Sequence, residues 1–518
     1  MFKKLLILFC FLVITTGVFA QSISSGTGRY EALGFNPFIT DPALDLVRNP
    51  AWGNLYRNYT FGDLGRADLT DPNLYKLKNQ YVGINFGLGP KIFGGLILNK
   101  NEGRMFDSVF YVSSPWGMGP LGMEMPIVPV KAFFGFTPNA GKFTLAGSFY
   151  YAQKSQDSTL PYNFSRVTDT TSISNVASNY SVDKKSSVLG FTVGALSNFK
   201  DGWMEGNVDL KFNKMKYTAS GDTTATTILH RKPPLSDTSF VTQSHRTSLD
   251  VENDGSMEFN AYIRGNLMVN KPNQIKLVPY FSIGFFSWKP KYTPVNSQSD
   301  SLPVPGFRTT ASYDYEYKYM NMMGGVGINM PVFESGLLGF GLSFGYNSYN
   351  LISTETYTSW TGNGIQPPFG DTIKTVTTNR VDYKKTSTVF PKLNFGLEWK
   401  FTDWMTGRLG YSRAVINDKI DGTNSSSTSN TKVSSIPGAG YVINSSTTSL
   451  PSNIIDNQNP TDPVQTMSLG LGFHFNRFSI DGLIGEKFFQ KGVNLLSGQD
   501  DKEMFGVLSA SYNFNLIK

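Results

Sequence analysis

The sequence predicts an all-β protein: a transmembrane antiparallel β-barrel of about fourteen strands, with sixteen as the alternative, carrying an N-terminal plug or hatch segment. Three features predict it. Long stretches alternate apolar and polar residues with a period of two, short turns and long polar stretches follow one another along the chain, and an export signal opens the sequence. The expected organisation is a signal peptide over 1–20, a plug or hatch over 21–79, and a transmembrane barrel with long extracellular loops over 80–518.

The alternation is clearest between Ser256 and Trp288. Met257, Phe259, Ala261, Ile263, Leu267 and Val269 interleave with Ser256, Glu258, Asn260, Tyr262, Arg264 and Asn266, which puts an apolar row on one strand face and a polar row on the other. After Asn270-Lys271-Pro272-Asn273 the rhythm resumes with Ile275, Leu277, Phe281, Ile283 and Phe285 against Lys276, Tyr280, Ser282 and Gly284. Each arm exceeds the roughly 9–11 residues a tilted strand needs to cross a bilayer. Beyond the signal, no run is long and apolar enough for a spanning helix, so lipid contact has to come from strands.

At the N-terminus, Lys3 and Lys4 precede an apolar run from Leu5 to Ile14, and Val18-Phe19-Ala20 before Gln21 offers the small residues a signal peptidase reads. The run is short of the roughly 20 residues of an anchor helix. Cys10, the single cysteine, lies inside this segment, so the mature chain has neither thiol nor disulfide. The formal charge of +7 includes Lys3 and Lys4, and the remainder, spread over the mature chain, does not suggest a nucleic-acid partner.

Tight breaks fall at Pro138-Asn139-Ala140-Gly141, Lys200-Asp201-Gly202, Asn270, Glu334-Ser335-Gly336, Thr402-Asp403 and Asn476-Arg477. These six are expected on the periplasmic side and give about fourteen strands. Gly87-Leu88-Gly89-Pro90-Lys91 is a possible seventh, which would demand an earlier strand near Leu55 to Gly62 and about sixteen in all. The polar stretches near 155–184, 219–254, 292–311, 351–383, 418–463 and 488–502 are expected to be extracellular loops.

Residues 21–79 neither alternate nor form a long helix, yet carry Phe35, Phe38, Leu44, Val47 and Trp52, which need cover from water. Folding into the barrel mouth would supply it; the alternative is a periplasmic tail. The same stretch holds Arg29, Ala32, Gly34, Asp41 and the Asn49-Pro50-Ala51 triplet. With the export signal and the fourteen-strand pattern, these resemble the FadL/TodX family of outer-membrane hydrophobic-compound transporters. Phe35-Asn36-Pro37-Phe38-Ile39 departs from the run of small residues usual there. The resemblance implies passive uptake of a long-chain fatty acid or aromatic compound across the outer membrane of a Gram-negative cell, with a hatch in the lumen, a greasy extracellular capture site and lateral release through the wall. Outer-membrane lipid, lipopolysaccharide and the barrel-assembly machinery are the partners it implies, the last suggested also by the terminal strand Leu508, Ala510, Tyr512, Phe514 and Leu516.

The parts can be sought in the chain. Trp116, Met118, Leu121, Met123 and Met125 fall in one expected extracellular loop, an apolar density that suits capture of a hydrophobic small molecule; the bland reading is a loop packed inward or on lipid. Asn49, Pro50 and Ala51 are the hatch candidates. Pro129, Pro279 and Pro391 lie inside expected strands, where proline removes a ladder donor. Pro129, beside the apolar loop, is the lateral-opening candidate, against the plainer reading of a kink that only shapes the wall.

No catalytic constellation and no cofactor or metal site are expected. His230, His245 and His474 are the only histidines, too few and too scattered for multi-histidine metal chemistry; His474 follows the polar parity of its strand. Glu258, Arg264 and Lys276 on the inner row should pair across strands or sit in water. A second function class stays open: a partner-binding outer-membrane barrel serving protein secretion or surface attachment through long polar loops.

Overall fold

The computed structural model describes residues 27–66, 81–101, 111–114, 117–120, 126–138, 142–169, 172–229, 238–289, 291–293, 295–299, 308–332, 335–362, 372–436, 440–484 and 505–514. The expected signal peptide lies outside them. Two short helices come first, α1 (Thr27–Ala32) and α2 (Pro42–Arg48), followed by a 3-10 turn (Pro50–Asn54). The strands are β1 (Tyr59–Arg66), β2 (Val82–Gly87), β3 (Ile92–Asn101), β4 (Tyr111–Ser114), β5 (Gly117–Pro120), β6 (Ile127–Phe136), β7 (Phe143–Asp169), β8 (Ser172–Phe199), β9 (Gly202–Leu229) and β10 (Thr238–Asn270). They continue with β11 (Ile275–Trp288), β12 (Lys291–Thr293), β13 (Val295–Ser299), β14 (Arg308–Val332), β15 (Gly336–Gly362), β16 (Thr372–Thr402), β17 (Met405–Ile436), β18 (Gly440–Phe475), β19 (Phe478–Ile484) and β20 (Phe505–Asn513).

Every neighbouring pair in the wall is antiparallel, and β1 closes the ring on β20 through Tyr59↔Asn513 to Arg66↔Val507. Because β11, β12 and β13 lie end to end between β10 and β14, and among the described residues β4 pairs only with β5, outside the wall, the wall has sixteen strands. The expectation of fourteen is therefore corrected to the alternative. Leu88–Lys91 forms the seventh tight turn between β2 and β3, and the extra strand, β1, falls within the 21–79 stretch. Its eight residues, Tyr59-Thr60-Phe61-Gly62-Asp63-Leu64-Gly65-Arg66, begin an alternation that Leu64 breaks, so they do not stand out by period.

A second correction concerns the polar stretches expected as loops. Much of 155–184, 219–254, 351–383 and 418–463 is strand, continuing the ladders of β7 to β10 and β15 to β18. Both faces of these extensions are rich in Ser, Thr and Asn, so the period of two that marks a lipid-facing strand is missing although backbone pairing continues. β18 alone runs for 36 residues, several times the roughly 9–11 that a bilayer requires. The wall is tall across β7–β18 and built from short strands at β19, β20, β1, β2, β3 and β6.

Near the tight turns the two faces separate as the alternation demands. Met257, Ile263, Val269, Phe281 and Phe285 are exposed on the outside, while Ser256, Glu258, Arg264 and Asn266 are buried inside. At the turn end, Trp399, Phe401, Trp404 and Phe475 are exposed large aromatics, with the Trp399 and Phe401 rings 4.7 Å apart. Such a girdle is expected where a barrel meets head groups. Among the described residues no helix is long and apolar enough to cross a membrane.

Candidate functional site

The site starts from two Asx-Pro pairs. Asp41 caps α2 by accepting a hydrogen bond from the Leu44 N–H, with Pro42 in the first turn; Asn49 caps the following 3-10 turn by accepting from the Ala51 N–H, with Pro50 next. Both follow from a side-chain oxygen that satisfies an orphan amide and a proline whose missing N–H costs nothing there. The two caps fold residues 41–54 into a compact knot, and the face it presents to the wall is fixed by charge.

Arg264 on β10 is the first anchor. Its guanidinium meets the Asp45 carboxylate of α2 at 2.6 Å and donates from Nε to Glu205 of β9 at 2.7 Å. Glu205 also accepts from Asn49 Nδ2 at 2.9 Å, Trp52 Nε1 at 2.6 Å and the Tyr262 hydroxyl at 2.8 Å. Trp203 closes the cluster with its ring 5.3 Å from the Arg264 guanidinium carbon. A second anchor lies on the other side of the lumen. Arg29 of α1 donates to Glu398 of β16 at 2.8 Å and to Asp41 at 3.2 Å, while Arg408 of β17 shares Glu398 at 2.7 Å and pairs with Asp481 of β19 at 2.7 Å. Buried ion pairs of this kind add little net stability, but removing one partner leaves a charge stranded and costs about 3–5 kcal/mol.

Between the anchors, glycines on the inner wall make room for apolar side chains. Phe38 occupies a notch over Gly327 and Gly341, and Ile39 lies against Gly339 and Gly396; a Cβ at any of these four positions would collide with the segment. Gly34, at φ +74°, approaches the backbone of Gly410 and Tyr411, a conformation and a spacing that favour glycine. Leu46, Val47, Ala51 and Trp52 complete a core with Tyr59, Phe61, Phe93, Ile97 and Phe133 of the wall. Residues 27–54 thus touch inner-face residues of strands all around the ring.

Burial pushes the Asp45 carboxyl up to about 6, with Arg264 pulling it back down and Glu205 adding to the rise. Burial outweighs the one guanidinium, which is shared between two sealed carboxylates.

On the side of this segment away from the tight turns lies a cavity of about 390 Å³, floored by Leu44, Val47 and Arg48 and walled by residues of β6, β8–β11 and β14. One rung of the sheet crosses it: Thr192↔Asp209, Asp209↔Asn260, Asn260↔Gly284 and Gly284↔Asn321. Lys131 of β6 reaches the Val47 carbonyl at 3.5 Å with its ammonium 5.3 Å from the Tyr150 ring centre. The Arg48 guanidinium lies over Tyr262 at 5.6 Å.

Of the residues singled out in the sequence, Asn49, Pro50 and Ala51 are buried at the first anchor, together with Arg29, Ala32, Gly34 and Asp41 elsewhere in the segment. Trp116, Leu121, Met123 and Met125 lie outside the described residues; Met118 falls in β5, where only the backbone is described. Pro129 is exposed on β6. The described ladder between β6 and β7 runs from Phe136↔Leu145 to Lys131↔Tyr150, so Pro129 stands just beyond its last rung, while among the described residues β7 continues upward on β8 alone. Val128, Tyr150, Ala152 and Val188 form a buried apolar patch beside it. Pro391 sits in a bulge between Val389 and Lys392, and Pro279 faces Val326 in a regular ladder. His474 is held by Thr406 at 2.9 Å and Ser479 at 3.1 Å. The sequence reading missed Glu205, Glu398, Arg408 and Asp481; their one signal was a charge at a polar-row position.

No protein-family model matches the chain, and no curated protein matches it. Among solved structures the chain is similar to a mutant of the ferric enterobactin receptor of Pseudomonas aeruginosa, at 8% identity over 88% of this chain and 80% of that one, with a TM-score of 0.23.

Proposed function

We propose that the protein is a bacterial outer-membrane channel for passive uptake of hydrophobic small molecules, of the long-chain fatty acid or aromatic class, with residues 27–54 as its hatch. The observation that carries the reading is the double anchoring of that segment across the lumen by Arg264–Asp45–Glu205 and Arg29–Glu398–Arg408. A lumen so blocked, and lined elsewhere by polar side chains, suits a ligand that leaves sideways rather than one that diffuses down an aqueous bore. The end of the β6–β7 ladder at Pro129, with the apolar patch of Val128, Ala152 and Val188 beside it, supports the place of exit. The Trp116–Met125 loop is the proposed capture surface.

The test is a pair of cysteines across the gap. In cells that depend on this protein for a hydrophobic carbon source, Val130→Cys with Tyr151→Cys is expected to stop uptake when oxidised and restore it on reduction. Unchanged uptake in the oxidised form would turn the reading over.

The tall polar strands β7–β18 favour a second reading, a barrel that binds a partner for secretion or surface attachment. It predicts that deleting the upper hairpins abolishes partner attachment and leaves small-molecule uptake intact.

A further inference from the structure

Val128 of β6 departs from the alternation of its own strand. Val130, Ala132 and Phe136 are exposed on the outer face, opposite the exposed Leu98, Leu96 and Ile92 of β3, and strand periodicity would send Val128 out beside them. It is instead fully buried, in a cluster with Tyr150, Ala152 and Val188, which alternate with the exposed Phe149, Tyr151 and Phe191 and so belong to the inner face. Pro129 and Val130, consecutive in sequence, are both exposed. A proline, which brings no N–H to the ladder, marks the place where the strand loses its alternation.

The reversal falls where a seam begins. Among the described residues β6 and β7 pair no higher than Lys131↔Tyr150, although β6 stays on β3 as far as Asn101↔Ile127 and β7 stays on β8. Over this stretch the described contact across the wall is the packing of Val128 on its neighbours, not a hydrogen-bonded ladder. The cavity over residues 27–54 leads to it. Lys131 and Thr192 line that cavity, and from Thr192 the inner face of β8 runs through Gly190 to Val188. Gly190 leaves room for the Tyr150 ring, which a Cβ there would strike. Moving the Val128 side chain aside opens the seam without breaking any described rung between β6 and β7.

Resting on the proposed uptake function, we infer that Val128 is the stopper of this seam and sets the girth of the ligand that leaves through it. A slim ligand, an unbranched acyl chain or a single flat ring, has one small side chain to displace; fused rings exceed the space it vacates. Packed interiors respond to a change of a single methylene group, so the size of this residue sets the limit.

Val128→Cys supplies the probe, since Cys10 in the expected signal segment is the only native cysteine. In cells that take up radiolabelled hexadecanoate through this protein, methyl, propyl and benzyl methanethiosulfonate adducts at position 128 are expected to lower uptake stepwise, by about tenfold at the benzyl adduct, and dithiothreitol to restore it. The same adducts on Ala132→Cys, on the outer face of the same strand, should change nothing. Independently, Val128→Ala should raise uptake of pyrenyldodecanoate relative to hexadecanoate by about tenfold, and Val128→Phe should lower it. That ratio reads girth rather than folding, and it decides the matter if the introduced cysteine does not label. Uptake insensitive to adducts that have formed, or a ratio that neither variant moves, overturns the inference. Hydrophobic uptake itself then stands if oxidised Val130→Cys with Tyr151→Cys still stops it, and falls as well if that bridge has no effect.

Discussion

Arg264 of β10 and Asp45 of α2 lie 2.6 Å apart with both side chains sealed from solvent, and the same guanidinium holds Glu205. One wall residue therefore ties the hatch to two neighbouring strands. Replacing it with leucine strands two carboxylates. We expect Arg264→Leu to destabilise the seated hatch by about 3–5 kcal/mol, read as faster proteolysis within residues 27–54 of the folded barrel and as larger conductance in planar bilayers.

The Phe38 notch predicts a steric counterpart. Gly327→Val or Gly341→Val forces a side chain into space that Phe38 fills, at a cost of about 1–3 kcal/mol. The barrel should still migrate as a folded, heat-modifiable band, while hydrogen exchange of residues 36–47 rises. Phe38→Ala combined with Gly327→Val should recover part of the loss, which a general folding defect would not.

Asp45 gives the hatch a pH dependence. Its carboxyl, pushed up to about 6 when seated, returns to an ordinary value of about 4 once exposed, so the seated state binds the proton more tightly. Seating is therefore favoured fully below about pH 4 and loses that advantage as pH rises through 6. Protease resistance of residues 27–54 should increase from pH 7.5 to pH 5, and Asp45→Asn should flatten the profile. A hatch that loosens on acidification would contradict this assignment.

The two faces of β10 can be separated by adjacent substitutions. Ile263 is 56% exposed on the outer face, and Ile263→Arg is expected to cost about 2–4 kcal/mol if it lies at mid-bilayer depth. Tyr262, one residue away and inward, should tolerate Phe with loss of only its hydrogen bond to Glu205, about 1–2 kcal/mol. Unfolding in urea with the protein in lipid vesicles measures both.

The barrel wall and the segment packed against its inner face were legible in the sequence to different depths. Alternation from Met257 to Phe285 located the exposed apolar face of the wall, because a strand turns every second side chain to the same side. It failed in the upper halves of β16 and β17, where Ser, Thr and Asn at successive positions leave no alternation to read although the ladder from Thr372↔Val433 downward continues. Arg29, Asp41 and Asn49 stood out by pattern and prove to be anchors and caps. Asp41-Pro42 and Asn49-Pro50 open α2 and the 3-10 turn, but each element is too brief for a 3.6-residue period to register, and the sequence reading expected neither. Their counterparts Glu205, Glu398 and Arg408 were opaque, because which strand faces the hatch depends on a closed register over hundreds of residues.

The seam between β1 and β20 joins Tyr59 to Asn513, and so fixes an order of events during biogenesis. Nothing can seal the cylinder until the last strand has been delivered, whereas the helices and their capping turn are available from the outset. Residues 27–54 can therefore meet the inner faces of the wall strands before the ring is shut.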